Sequence, residues 1–173
     1  ECVGLIYLQP WILEFDGSRA DSGAGAGFVI RAPDEREWRY FVSLPAQTTN
    51  NQAEYRALIA GLQKIKDFGP TSIRIRGDSM VVLKQLTGEY AVKSSQLIED
   101  FYKATKLIRE IGEVEVEYIP RNQNEEANRM AQHASRYRIQ TDCEPLEIGL
   151  IPSDAPDWRQ GIWDALENPS AAD

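Results

Sequence analysis

Asp16, Glu54, Asp78 and Asn128 sit in four short segments: Phe15-Asp16-Gly17-Ser18, Thr49-Asn50-Asn51-Gln52-Ala53-Glu54, Gly77-Asp78-Ser79 and Asn124-Glu125-Glu126-Ala127-Asn128. Three of these residues are carboxylates, and the last is the amide of one. Hard oxygens from separate segments, brought together by a fold, suit divalent cations held a few Å apart. A pair of such ions polarises water and stabilises charge on phosphate oxygens, so the set is suited to two-metal phosphodiester hydrolysis. Each acid alone has a plainer reading. An Asp before Gly-Ser is ordinarily a turn residue that bonds the following backbone. A Glu on a helix is ordinarily a solvated charge, and Asp78 before Ser79 could be a helix N-cap. Only the set points to chemistry.

The elements that must position these residues read as an alternating α/β chain. Trp11 to Asp16 alternates apolar and polar residues and predicts a strand that turns at Gly17-Ser18. Phe28-Val29-Ile30, followed by Pro33-Asp34, predicts a second strand and its hairpin, and Glu37 to Leu44 a third, so the first 45 residues form an antiparallel meander. From Asn50 the period becomes helical through Ala53, Ala57, Leu58, Leu62 and Ile65, with Asn50 as N-cap and Gly69-Pro70 as the stop. A short strand over 72–76, helices over 79–86 and 96–111, an alternating strand over 113–118 and a last helix over 124–136 complete the domain. The expected order is β-β-β-α-β-α-α-β-α, a five-stranded mixed sheet with flanking helices.

At 173 residues, 42% hydrophobic and 27% charged, the chain is long enough for one domain with a real core. That domain is expected over 11–139, with a 1–10 extension before it and an acidic tail over 140–173. The start lacks an initiator Met and a basic n-region, and its apolar run is too short to span a bilayer; it reads as a fragment start. Cys2 and Cys143 show no framework spacing and read as reduced thiols, which favours an intracellular setting, cytoplasmic or nuclear. The formal charge of −8 is uneven, since eight of the 27 acids but only Arg159 among the bases fall within 142–173. The nearly neutral remainder is compatible with weak, salt-sensitive nucleic-acid binding. In the tail, Trp158, Ile162, Trp163 and Leu166 could share one face of a short helix.

The segments resemble the type 1 ribonuclease H family, and within it the ribonuclease H domain of plant gypsy-class long-terminal-repeat retrotransposons. The resemblance spans about 11–136. It rests on the four site segments together with Gly23-Ala24-Gly25-Ala26-Gly27, Gly88-Glu89-Tyr90-Ala91-Val92-Lys93 and Ile119-Pro120-Arg121-Asn122-Gln123-Asn124. It implies a ribonuclease H-like fold and an endonuclease for the RNA strand of RNA/DNA hybrids. Two Mg²⁺ or Mn²⁺ ions would be bridged by Asp16, with Glu54 and Asp78 completing one site and position 128 the other. The family generally carries Asp where this chain has Asn128, so one negative charge is missing and the water-activating ion should be held more weakly. The alternative is a domesticated binding module that no longer turns over.

The same resemblance implies substrate contacts. Asn50 and Asn51 would reach the minor groove, where the 2′-hydroxyl marks RNA. Thr49 would face a phosphate of the DNA strand and Ser18 an RNA sugar. Many relatives carry a His in the loop before the last helix; here Arg121 takes that place, and His133, five residues past Asn128 on another helix face, is expected to be non-catalytic. The basic helix-and-loop insertion of some bacterial relatives has no room within 89–95, leaving Lys93 and a few scattered bases. Weak intrinsic affinity follows, and with it reliance on an attached reverse transcriptase or other polyprotein domain.

Overall fold

In the computed structural model, which describes residues 9–136 and 148–151, the expected meander forms: β1 (Trp11–Ala20), β2 (Gly23–Arg31) and β3 (Glu37–Leu44) pair antiparallel in sequence. Helix α1 (Asn50–Phe68) then crosses to β4 (Ser72–Gly77), which lies parallel to β1. Helices α2 (Met80–Leu86) and α3 (Ser95–Ile111) lead to β5 (Glu113–Tyr118), parallel to β4, and a 3₁₀ turn at Arg121–Gln123 precedes α4 (Glu125–Arg136). A further short strand, β6 (Ile148–Ile151), adds antiparallel to β3, giving the order β5-β4-β1-β2-β3-β6. The five expected strands are therefore joined by a sixth from the segment expected to trail as a tail. Cys2, Cys143 and the Trp158–Leu166 segment lie outside the described residues.

Two local expectations are corrected. The chain does not turn at Gly17-Ser18: β1 runs on to Ala20, with Gly17 opposite Ala26 and Ser18 opposite Gly25. The cross-strand ladder overrides the turn preference of Asp-Gly-Ser. The N-cap of α1 is Thr49, not Asn50. Its hydroxyl accepts from the Gln52 amide while the Gln52 side chain accepts from the Thr49 amide, a reciprocal capping box. At the other end Gly69 takes the left-handed conformation, φ 79°, and its N–H closes on the Lys66 carbonyl.

The core lies between the sheet and α1. Leu13 and Phe15 of β1, Phe28 and Ile30 of β2, Ile73 and Ile75 of β4, and Leu58, Leu62 and Ile65 of α1 are all fully enclosed. The Tyr55 hydroxyl donates to Gln85 Oε1 at 2.5 Å, tying α1 to α2 within this layer. Helix α4 covers the opposite face of β1–β3 through small residues. A Cβ on Gly27 would lie 2.4 Å from the Ala127 carbonyl oxygen and the Ala131 nitrogen, and one on Gly25 would lie 2.3 Å from the Ser135 nitrogen. On the α1 side a Cβ on Gly17 would come within 2.5 Å of Ala53 C and Glu54 N. These neighbours are backbone atoms, so a side chain there must push a whole helix outward. Gly27→Ala is expected to lower stability by about 1–3 kcal/mol, as overpacking does, read as a lower denaturation midpoint. An unchanged midpoint would show that α4 shifts at no cost.

Candidate metal centre

Asp16 sits in the middle of β1 and is 3% exposed, so it is no turn residue. Asp78 follows the end of β4, and the N-cap of α2 is Ser79, so Asp78 is not spent on capping. Glu54 stands in the second turn of α1, over Gly17, and its Oε2 is buried without a hydrogen-bond partner, unlike a solvated surface charge. The carboxylate oxygens of Asp16, Glu54 and Asp78 lie within 4.8 Å of one another. Asn128, on the second turn of α4, donates from Nδ2 to Asp16 Oδ2 at 2.6 Å. The structure thus brings all four residues together.

Burial dominates the electrostatics. Desolvation pushes both the Asp16 and Glu54 carboxyls well above the usual carboxylate range, and the nearby Asp78 charge pushes them further. The two are close enough to share a proton. The Asn128 amide and the Arg121 guanidinium oppose the shift at Asp16. A divalent cation would do the same more strongly, and the donor set fits one: converging hard oxygens with an enclosed, unpaired acceptor on Glu54.

The expected substrate residues are spread around this cluster. Ser18, two residues beyond Asp16, accepts a long bond from the Ser135 hydroxyl of α4, at 3.4 Å. Thr49 is engaged in its cap, while Asn50 and Asn51 on the first turn of α1 are exposed. Asn50 also lines an open hollow of 440 Å³ with Arg19, Ala20, Asp21 and Ala46. Arg121 is exposed, with its charge felt at Asp16, and Lys93 is exposed. His133 meets Phe41 of β3 edge-on, 5.4 Å between ring centres, and burial lowers its pKa.

One residue was not singled out by its type. The Asn124 side chain, 1% exposed, donates from Nδ2 to the Phe15 carbonyl at 2.9 Å. It pins the start of α4 to β1 one residue from Asp16. Its position just before a helix was the available signal, but the partner lies 109 residues away.

Comparison with known proteins agrees with this geometry. The reverse transcriptase-like family matches residues 14–134. Ribonuclease HI of Halobacterium salinarum is 38% identical over 122 residues, 69% of this chain and 61% of that protein. The bifunctional protein Rv2228c of Mycobacterium tuberculosis is 32% identical over 157 residues, 85% of this chain and 42% of its own length, so the chain spans only part of these curated relatives. The solved N-terminal RNase H domain of Rv2228c superposes with a TM-score of 0.64 at 34% identity, covering 73% of this chain and 93% of that one. LC11-RNase H1, solved in complex with an RNA/DNA hybrid, gives 0.62 at 29% identity over 71% of this chain and 94% of that one. A family match across 14–134, together with these relatives, shows that the chain belongs to the reverse transcriptase-like, ribonuclease H-like family.

Proposed function

We propose that this chain is a metal-dependent endonuclease that hydrolyses the RNA strand of RNA/DNA hybrids, at a rate lowered by Asn128. The observation that carries the reading is the convergence of three carboxylates within 4.8 Å, with Asn128 bonded to one of them. The hybrid as substrate is supported by a relative, LC11-RNase H1, solved with one. Two bound Mg²⁺ or Mn²⁺ ions would supply positive charge to the scissile phosphate and make a bound water more acidic. Asp16, reached from both sides, would help to hold both ions, with Glu54 and Asp78 holding one and Asn128 the other through Oδ1, once its amide turned over from its present bond to Asp16.

Around the cluster, Asn50 and Asn51 present donors and acceptors to the minor groove. Thr49 offers its hydroxyl to a phosphate of the DNA strand and Ser18 to an RNA sugar, and Arg121 places a cation at the mouth of the site. The folded nuclease unit is taken as 11–139. A tether to a reverse-transcribing polyprotein belongs to the same proposal, supported by the family match and by the short supply of basic residues for holding substrate.

Three outcomes test this reading. Cleavage of a labelled hybrid should require divalent metal and vanish with Asp16→Asn or Asp78→Asn, since each removes charge from a cage that already lacks one; equal rates in either variant would remove that residue from the site. The second outcome concerns pH. The raised Asp16 and Glu54 carboxyls contribute stability that is fully present below their unfolded values of 3.8 and 4.5 and is lost as pH climbs toward the folded ones. In chelator, the melting temperature should fall between about pH 5 and 8 and recover on adding Mn²⁺. A flat profile would contradict the buried acid pair.

The third is Asn128→Asp. Restoring the charge should raise cleavage by about tenfold, equivalent to about 1.4 kcal/mol in the barrier, and lower the metal concentration at half-maximal rate. Without metal the same variant should melt below the parent, because a carboxylate cannot donate to Asp16. If the variant binds hybrid and metal yet cuts nothing, the binding-module reading replaces the nuclease.

A further inference from the structure

A chain of alternating charges crosses the sheet from β5 to α4. Glu117 Oε2 faces Arg76 Nε at 3.1 Å, and Arg76 Nη1 faces Glu14 Oε2 at 3.7 Å. Glu14 Oε1 pairs with Arg31, whose Nη2 faces Glu37 Oε1 at 3.1 Å. Glu37 Oε2 faces Arg39 Nη2 at 3.4 Å, and Arg39 Nε faces Glu126 Oε2 at 3.4 Å. Glu126 Oε1 then meets Arg129 Nη1 at 3.3 Å on α4 itself. Glu14, Glu37 and Glu126 each give their two oxygens to different arginines. Several links are charge contacts and not aligned hydrogen bonds, since Arg76 Nε, Glu37 Oε1, Arg39 Nε and Glu126 Oε2 are enclosed without one. The hub is Glu14, whose side chain is 5% exposed.

Three members of this chain stand two residues before a site residue: Glu14 before Asp16, Arg76 before Asp78, Glu126 before Asn128. On a strand, i and i+2 share a face, so the Glu14–Arg76 pair forms the layer next to Asp16 on β1 and links the strands from which Asp16 and Asp78 project. On α4 the need differs. The glycine and alanine contacts with β2 fix how near the helix comes, but such a smooth surface resists sliding and rotation poorly. Asn124 pins the start of the helix, and Arg39 grips Glu126 two residues on.

The geometry points to this ionic chain, with Glu14 as its hub and Arg39–Glu126 as its link to α4, as a positioning device that sets the spacing of Asp16, Asp78 and Asn128. The inference rests on the reading of those residues as the metal site. Its test therefore includes a readout that needs neither metal nor turnover.

In the metal-free protein the Asn128 side-chain amide should give a proton signal displaced by its bond to Asp16. Glu14→Gln, Arg39→Gln and Glu126→Gln should each move that signal toward the free-amide value. By calorimetry they should also weaken Mn²⁺ binding by between about 2- and 30-fold. The double variant Arg39→Gln with Glu126→Gln should cost no more in either readout than the larger of the two single changes, as partners in one link do. A merely structural role would lower the melting temperature and leave signal and affinity where they are, and that result would overturn the inference. Should the parent bind no Mn²⁺, the metal-site reading falls, while the amide signal still decides whether the ionic chain positions Asn128. Glu14→Gln removes a buried hub and has the greatest risk of unfolding. The half-buried Arg39 and Glu126 variants keep the test decisive in that event.

Discussion

Everything at the site depends on backbone approaching backbone more closely than a side chain would allow. Helix α1 rests on Gly17 and helix α4 on Gly25 and Gly27, where added Cβ atoms would lie 2.3 to 2.5 Å from helix backbone. Glycine in a strand costs roughly 0.5–1 kcal/mol each in chain entropy relative to alanine, so the sequence gives up stability to gain proximity. The return is geometric. Glu54 comes in from α1 and Asn128 from α4, on opposite sides of the sheet, and both meet Asp16 on the strand between them.

Proximity creates the second problem, which is charge. Three carboxyls this close repel one another, and burial penalises the charges of Asp16 and Glu54. The chain answers at Asp16 with the nearby guanidinium of Arg121 and with the amide of Asn128 donating to its carboxylate. An ion would answer all of it at once. The same enclosure that raises two of these carboxyls also leaves converging hard oxygens of the kind that suit a divalent cation.

The broad fold was legible because its signals are local. Period-two alternation marked β1 and β5, and helical spacing closed by Gly69 marked α1. The site residues were legible as a set, since each acid alone supported a turn, a cap or a surface charge. What was misread depended on distant partners. Gly17-Ser18 looked like a turn because nothing nearby reveals the ladder to Ala26 and Gly25. Asn50 looked like the cap because Asn ranks high as one, although the Thr49–Gln52 spacing held the capping-box signature. Strand β6 gave no periodic signal, and Asn124 and Glu14 take partners from other strands that no local pattern names.

Position 128 shows how stability and turnover can pull one residue in opposite directions. An aspartate there would add a fourth carboxyl to a cluster in which burial already holds two above the usual carboxylate range, so the metal-free fold would lose stability. Asparagine donates a hydrogen bond where aspartate would repel, and the domain no longer needs a cation to quiet that corner. On the proposed function, the same amide would offer a bound ion a weaker oxygen than a carboxylate does. The near-isosteric exchange leaves α4 where Gly27, Asn124 and the Arg39–Glu126 pair hold it. The placement of α4 is therefore indifferent to which residue stands at 128, while the exchange trades metal-free stability against the proposed turnover.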